Sequence, residues 1–308
     1  MARRRVTRQS HQERINDVLY HIHAHLGERL DIERLAELSC YSSYHFQRTF
    51  KAHCGESVHD YIRRARLEWA ANLLIFNPDS TVMAIANECG FQSNASFSHA
   101  FRQRFGVSPS AWRDGGYQQQ VRDLKGDWVS AEQNPNRHYH QRTSDESEAT
   151  TDLEVAIQRR EPLRVAYIRH TGYDQSIETT WLKLIDWADT RGLALSDVRM
   201  VGLYHSNPDI IPYEECRYVA CLSVPDEIYR GAGVDVMEIP GGLFAAARGQ
   251  GRYGDLIYLM HRLYHHWLPD SDYETINIPA HAQYYKNHFL EPDGEFDVEL
   301  RIPVRFKC

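Results

Sequence analysis

The sequence predicts a multidomain chain: an all-α head with two tandem helix-turn-helix units, then an α+β tail built from a duplicated β-α-β unit. Three observations predict it. Two stretches in the first third share one layout, Leu30 to Lys51 and Ser80 to Phe105. In the tail, strand and helix signals recur in one frame, so that Tyr173, Ile177 and Trp187 match Tyr253, Ile257 and Trp267, and Tyr204 matches Tyr284. Charge is also segregated. Residues 1–116 hold 15 Lys and Arg against 12 Asp and Glu, net +3, and the remainder holds 20 against 30, net −10, within a total of −7.

Each helix-turn-helix unit follows from capping and periodicity. In the first, Asp31 caps a short helix carrying Leu35-Ala36, the chain turns through Ser39-Cys40-Tyr41, and a second helix opens at Ser42. In the second, Ser80 caps a helix carrying Ile85-Ala86, the turn runs through Cys89-Gly90-Phe91, and the next helix opens at Ser93. Apolar residues then recur every three or four positions, which buries one face and frees the other. Phe46 and Phe50 are expected in the core. This geometry lets one helix brace while the next enters a DNA major groove. Between the units, Ser57 opens a long helix with an apolar stripe at Val58, Ile62, Ala65, Trp69, Leu73 and Phe76, and Asn77-Pro78 ends it. Ser108-Pro109 opens a short closing helix, with Pro at the tolerated first position.

The head is expected over residues 1–116, a linker over 117–151 and the tail over 152–308. The linker reading rests on Gly115-Gly116, a glutamine run and the polar stretch N-P-N-R-H-Y-H-Q-R-T-S-D-E-S-E-A-T-T, with partial order expected from Leu124 to Val129 around Trp128. Tail strands are expected at 153–158, 163–170, 200–205, 217–224, 234–239, 243–248, 283–286 and 296–305, with helices at 176–190 and 253–267. A duplicated unit of this kind predicts a cleft near its pseudo-two-fold axis.

Other classes find little support. No apolar run approaches the ~20 residues that span a bilayer, and the basic start M-A-R-R-R-V-T-R lacks a secretory apolar segment. A cytoplasmic chain without membrane partner is expected. The six cysteines are scattered without C-x-x-C spacing and read as reduced thiols. No phosphate-binding, nucleophile-elbow or dinucleotide glycine motif is present, so no cofactor and no catalytic residue is expected. His261 and His265 have metal-ligand spacing on an expected helix but lack the H-E-x-x-H glutamate, so a packed or exposed pair outweighs a metal site.

The strings Y-S-S-Y-H-F-Q-R-T-F-K at 41–51 and G-F-Q-S-N-A-S-F-S-H-A-F-R-Q-R-F-G-V-S-P-S-A-W-R at 90–113 resemble the DNA-binding domain of the AraC/XylS family. That resemblance covers residues 12–113. The tail resembles the GyrI-like effector-binding domain through V-A-Y-I-R-H-T-G-Y at 165–173, Trp181, G-L-Y-H-S-N-P at 202–208, R-Y-V-A-C-L-S-V at 217–224 and L-R-I-P-V at 300–304. Together they are similar to the Rob-type arrangement, with the DNA-binding head first and the regulatory domain second.

The resemblance implies that the second helix of each unit meets a major groove. In the first unit it points to Ser43, Tyr44, Gln47 and Arg48. Arg48 would suit guanine O6 and N7, Gln47 adenine, and Tyr44 a thymine methyl or a phosphate. The bland alternative is a solvated face touching phosphate alone. In the second unit Asn94, Ser96 and His99 would face bases, with Arg102 and Arg104 on phosphates. Ala95 has no donor and His99 is a weaker contact than Arg, so this unit is expected to add affinity more than discrimination. Arg3, Arg4 and Arg5 would be a phosphate-touching arm or a free tail.

In the tail, Tyr167, Trp181, Tyr204, His205, Tyr284 and Tyr285 would line an aromatic cleft, with Glu215 as counter-charge. Trp181 and Trp187 have a plain core reading beside this. Gln283 stands where relatives carry an acid, so a neutral or anionic ligand stands level with a cationic one. The implied function is a transcription regulator that reads two adjacent major-groove segments and carries a small-molecule-binding tail. Its implied partners are double-stranded DNA, a small-molecule effector and RNA polymerase. Two alternatives stay open for the tail: a hydrolase using Tyr204, Trp181 and Glu215, or an interaction surface without ligand. An open aromatic cleft with a buried carboxylate favours binding or catalysis; a cleft filled by its own side chains favours interaction.

Overall fold

The structure is a computed structural model that describes residues 11–129 and 153–307. The Arg3–Arg5 arm, residues 130–152 of the expected linker and Cys308 lie outside the described residues, as does the Trp128 side chain.

The first unit comprises α1 (His11–Ala24), α2 (Ile32–Leu38) and α3 (Ser43–Cys54). Ile15, Val18 and Ile22 of α1 pack with Leu35, Phe46 and Phe50 against Val58, Tyr61, Ile62 and Ala65 of the long helix α4 (Val58–Phe76). The second unit, α5 (Val82–Glu88) and α6 (Asn94–Phe105), packs Ile85, Ala86, Phe97 and Phe101 on the C-terminal half of α4, with Trp112 closing the core. Ser42 and Ser93 cap α3 and α6, accepting the amides of His45 at 3.4 Å and Ser96 at 3.2 Å. Ser57 caps α4 through the Asp60 amide at 3.2 Å. Two caps differ from expectation. Asp31 occupies its N-cap position but its carboxylate pairs with Arg29 at 3.1 Å instead. Thr81, not Ser80, caps α5, accepting the Ala84 amide at 3.0 Å.

The two turns share one backbone form. Cys40 (φ 55°) and Gly90 (φ 78°) both lie in the left-handed region, and the next residues, Tyr41 and Phe91, donate to Ala36 O and Ala86 O at 3.0 and 2.9 Å. Gly90 has a further reason to lack a side chain. A Cβ there would come within 2.8 Å of the Arg66 guanidinium, which donates to Leu26 O at 2.8 Å and Gly90 O at 3.1 Å. Arg66 thus ties the first unit to the second across α4. After α7 (Pro109–Ala111), a π segment kinked at Gly115 leads into α8 (Tyr117–Val129). Order therefore starts at Tyr117, earlier than the Leu124 expected from the sequence.

The tail runs β1 (Ala156–Arg160), β2 (Leu163–Thr171), α9 (Ile177–Asp189), β3 (Met200–Tyr204), β4 (Arg217–Ser223), β5 (Asp235–Ile239), β6 (Gly242–Arg252), α10 (Asp255–Arg262), a π segment (Leu263–Trp267), β7 (Tyr273–Thr275), β8 (Ala280–Lys286) and β9 (Glu295–Phe306). The main sheet has the order β1-β6-β9-β8-β3-β4-β2-β5, and its pairs are antiparallel. That order reads symmetrically about the β3–β8 pair, where Gly202 stands opposite Ala282. The first strand of each half crosses over to pair with the second strand of the other half. Each half is thus a split β-α-β with an added strand. The repeat brings the halves into one continuous sheet, so no groove opens between two separate sheets. α9, α10 and the π segment bury Trp181, Leu184, Leu256 and Leu263 on one sheet face. Val165, Tyr167, Val201, Leu203, Val219 and Cys221 form a second cluster on the opposite face. The short strand β7 and the early start of β8 at Ala280 carry no alternating pattern and were not expected.

The head is not an independent core. The second unit and the helix side of the tail sheet belong to one apolar cluster. Replacing Arg66 with Ala removes the shared donor to three carbonyls, those of Leu26 and Glu28 on the first-unit side and that of Gly90 in the second unit. We expect a stability loss of about 2–4 kcal/mol, because bonds to charged groups contribute ~1.5–3 kcal/mol each and one carbonyl regains water. Chemical denaturation of the full chain measures it; a loss below that of an exposed pair such as Arg34→Ala would refute the tie.

Candidate nucleic-acid interface and ligand pocket

The outer faces of α3 and α6 are built by the same cap and the same buried phenylalanines. Phe46 and Phe50 on α3, and Phe97, Phe101 and Phe105 on α6, point into the cores. This turns Tyr44, Gln47 and Arg48 outward, with Tyr44 at 79% exposure, the largest among the exposed big apolar side chains of the described residues. Ser43 is half-buried at the helix start. His45 and Lys51 are exposed on the same helix and were not singled out from the sequence. On α6, Asn94, Ser96, His99 and Arg102 are exposed. Ser96 is partly engaged, since its hydroxyl donates to Ser93 O at 2.9 Å.

Arg104 departs from expectation. It is turned inward over the Phe105 ring and pairs with Glu215 at 3.3 Å and Glu68 at 3.8 Å. Its place in the periodicity is one turn beyond Ala100 and beside a buried phenylalanine, which directs it toward the tail rather than toward a phosphate. The expected pocket carboxylate Glu215 is corrected by the same contact. It sits 54% exposed on the rim, outside any aromatic cleft.

These two residues belong to an ion lattice along the head–tail seam. Arg64 of α4 pairs with Glu56 at 2.7 Å and Glu68 at 3.1 Å. From the tail, Arg217 reaches Glu56 at 3.5 Å and Glu68 at 4.0 Å and lies over the Tyr61 ring. Burial works against the Arg64 charge, but Glu68 and Glu56 more than offset it and raise its pKa. Polar side chains add further ties: Asn207 donates to Asn72 at 2.9 Å, and Asn77 exchanges two 3.1 Å bonds with the backbone of Thr275.

The expected aromatic pocket is divided by strand alternation. Trp181, Tyr204 and Tyr284 lie on the helix side, joined by Tyr218, which nothing in the sequence pattern marks as a pocket residue. The Trp181 indole donates to the Tyr218 hydroxyl at 3.2 Å, Tyr218 to Tyr284 at 3.4 Å, and the Tyr284 and Tyr204 hydroxyls bond at 2.7 Å. All four are buried, and burial holds the three phenols well above their ordinary pKa. Tyr204 and Tyr284, equivalent in the repeat, therefore touch at the pseudo-two-fold. Gly202 is required beside them, because a Cβ would overlap the Tyr218 ring. The cluster is filled by its own side chains.

Tyr167, His205, Gln283 and Tyr285 face the other side. Tyr167 packs in the second apolar cluster beside Arg169. His205 lies 5.0 Å from His23 of α1. Gln283 accepts from Arg301 at 2.9 Å. Tyr285 is on the surface beneath Arg248, 3.6 Å from its ring centre. A cavity of about 140 Å³ lies at the seam. It is lined by Trp69, Asn72 and Phe76 of α4 and by Tyr204, His205, Ile257, Met260 and Tyr264 of the tail. Of the eight expected pocket residues, Tyr204 and His205 reach it.

A family described as a GyrI-like small molecule binding domain matches residues 153–305, and one described as a helix-turn-helix domain matches residues 35–115. The chain is 35% identical over 104 residues to the regulatory protein SoxS of Escherichia coli K12, a match covering 34% of this chain and 96% of SoxS. It is 26% identical over 159 residues to a DNA gyrase inhibitor of Salmonella arizonae, covering 50% of this chain and 100% of that protein. Among solved structures, the DNA-binding domain of AdpA in complex with a target DNA is similar at 29% identity with a TM-score of 0.33, covering 35% of this chain and 96% of that one.

The buried histidines at the seam predict a pH-dependent stability. Burial first, then Arg169 and Arg217, lowers His205 from 6.5 to about 3. Burial, then His205, also lowers His23 well below 6.5. Above pH 6.5 these groups are neutral folded and unfolded alike. Below it, the unfolded chain takes up protons that the folded seam refuses, so stability falls as pH drops from 6.5 toward 3. Thermal midpoints of the full chain should decline between pH 7 and 4.5, and less steeply for His205→Gln. An unchanged slope in that variant would rule out His205 as a source.

Proposed function

Because this chain belongs to the AraC/XylS family of DNA-binding transcription regulators and carries a GyrI-like small molecule binding domain, we propose that it reads two adjacent major-groove segments as a monomer and that a small molecule acting at its tail biases that binding. The observation that carries the reading is the matched pair α3 and α6, each capped by serine, each burying phenylalanines and each exposing a polar outer face. Tyr44, Gln47 and Arg48 are assigned to base edges and Ser43 to the backbone at the helix start. Asn94, Ser96 and His99 are assigned to the second groove segment and Arg102 to phosphate. Arg104 is left out, since the seam holds it. α4, 19 residues long, spans about 28 Å at 1.5 Å per residue, which suits recognition helices set ~34 Å apart, one turn of duplex.

The domain plan of head 1–116, linker 117–151 and tail 152–308 is retained, with α8 occupying the linker's start. The effector is assigned to the seam cavity rather than to the closed tyrosine cluster. Trp69 lines that cavity, and its indole N–H is buried without a hydrogen-bond acceptor, which a ligand oxygen would satisfy. The reading is non-enzymatic: Glu215 stands on the rim, apart from Tyr204 and Trp181. No helix among the described residues is long and apolar enough to cross a membrane. The reading places the protein in the cytoplasm with DNA and RNA polymerase as partners. The filled cluster favours one secondary role for the tail, as a docking surface for its own head.

Three outcomes test this. Specific binding should weaken steeply with salt through counterion release. Arg48→Ala should lower discrimination between matched and scrambled duplexes by ~1–3 kcal/mol, and His99→Ala by less; equal losses in fluorescence anisotropy would overturn the ranking. An effector at the seam should quench tryptophan emission, and Trp69→Phe should remove most of that change. A full quench in Trp69→Phe would move the ligand elsewhere.

A further inference from the structure

We propose that Asp209, His261 and His265 form a binding site for one divalent transition-metal ion of borderline character, with Zn²⁺ as the reference case. The three come from separate pieces of chain. His261 lies in the last turn of α10, and His265 lies four residues on, inside the π segment. Single-turn π segments are uncommon and concentrate at functional sites. Asp209 arrives from the loop after β3, where its amide donates to the Asn207 carbonyl oxygen of the side chain at 2.9 Å. Asn207 is itself held by Asn72 of α4.

The geometry is close to that of a coordination shell. One ligand atom from each residue lies within 4.8 Å of the others. His265 Nε2 and Asp209 Oδ2 are 3.5 Å apart. Ligands ~2.0–2.1 Å from a tetrahedral ion lie about 3.3 Å from each other, so this pair is already spaced for a shared metal. The His261 ring stacks on His265 with centroids 4.2 Å apart, which keeps a His261 nitrogen within reach of the same point. The carboxylate and the His265 ring are mostly buried, at 13% and 20% exposure. Two imidazoles and one carboxylate suit Zn²⁺, Co²⁺ or Ni²⁺ and not the all-oxygen cages of Ca²⁺ or Mg²⁺. Three protein ligands leave a further position, and both histidines border the seam cavity. The site does not depend on the DNA or effector assignments. Its ordinary competitor is a metal-free ion pair between Asp209 and His265.

The test uses the full chain, stripped with a chelator and titrated with Co²⁺, then with Zn²⁺ against a chromophoric chelator. One equivalent of Co²⁺ should give visible bands of low coordination number, and Zn²⁺ should displace them. His261→Gln and His265→Gln should each weaken binding at least tenfold, and Asp209→Asn should weaken it measurably. The control His59→Gln, on the exposed face of α4, should bind as the parent does. X-ray absorption of the Zn²⁺-loaded parent supplies a readout that needs no variant to fold, and it should count two imidazoles. The proposal is overturned by an absence of stoichiometric binding, by full binding in both histidine variants, or by a sulfur-containing shell.

Discussion

Helix α4 has to fill three surfaces at once, and the remaining architecture depends on its doing so. Its first two turns complete the core of the first unit through Val58, Tyr61, Ile62 and Ala65. Its last three complete the second through Leu67, Ala70, Ala71, Leu74 and Phe76, in the same apolar cluster as the tail. Between these lies Arg66, bonded to the carbonyls of Leu26 and Gly90. Hydrogen bonds to a charged donor contribute ~1.5–3 kcal/mol, whereas exposed pairs such as Arg34–Glu37 contribute ~0.2–1 kcal/mol. Arg66 therefore outweighs the surface pairs in holding α3 and α6 in one relation.

The same helix also joins DNA reading to the tail. Arg64, Glu56 and Glu68 share charges with Arg217 and Arg104, while Asn72 and Asn77 bond to tail backbone and side chain. Partly buried, multiply bonded charges lose more when one partner leaves than exposed pairs do. A molecule entering the seam cavity meets Trp69 and Phe76 on α4 as well as Tyr204 on the tail. On the reading proposed above, such a molecule can bias DNA binding only through contacts that differ between conformations of the chain. The buried hydroxyl chain behind Tyr204 stiffens the tail wall of that cavity, since Trp181, Tyr218, Tyr284 and Tyr204 are bonded in series and removing one orphans the next.

What the sequence determined by itself is what is local or periodic. Serine caps, apolar spacing and turn residues set both helix-turn-helix units to within a residue or two, and the repeat offset placed Tyr204 and Tyr284 on equivalent strands, where they do meet. The tertiary structure decided which way each side chain faces and what it meets. Alternation sent Tyr284 inward and Tyr285 onto Arg248, and docking turned Arg104 from a DNA contact into a partner of Glu215. Asp209 reaches His261 and His265 only once a loop after β3 lies against the end of α10. Capping and periodicity are energies of neighbours along the chain and can be read from it. Facing, pocket lining and ligand clusters are energies between distant segments, and those exist only after the sheet has closed and the head has docked on it.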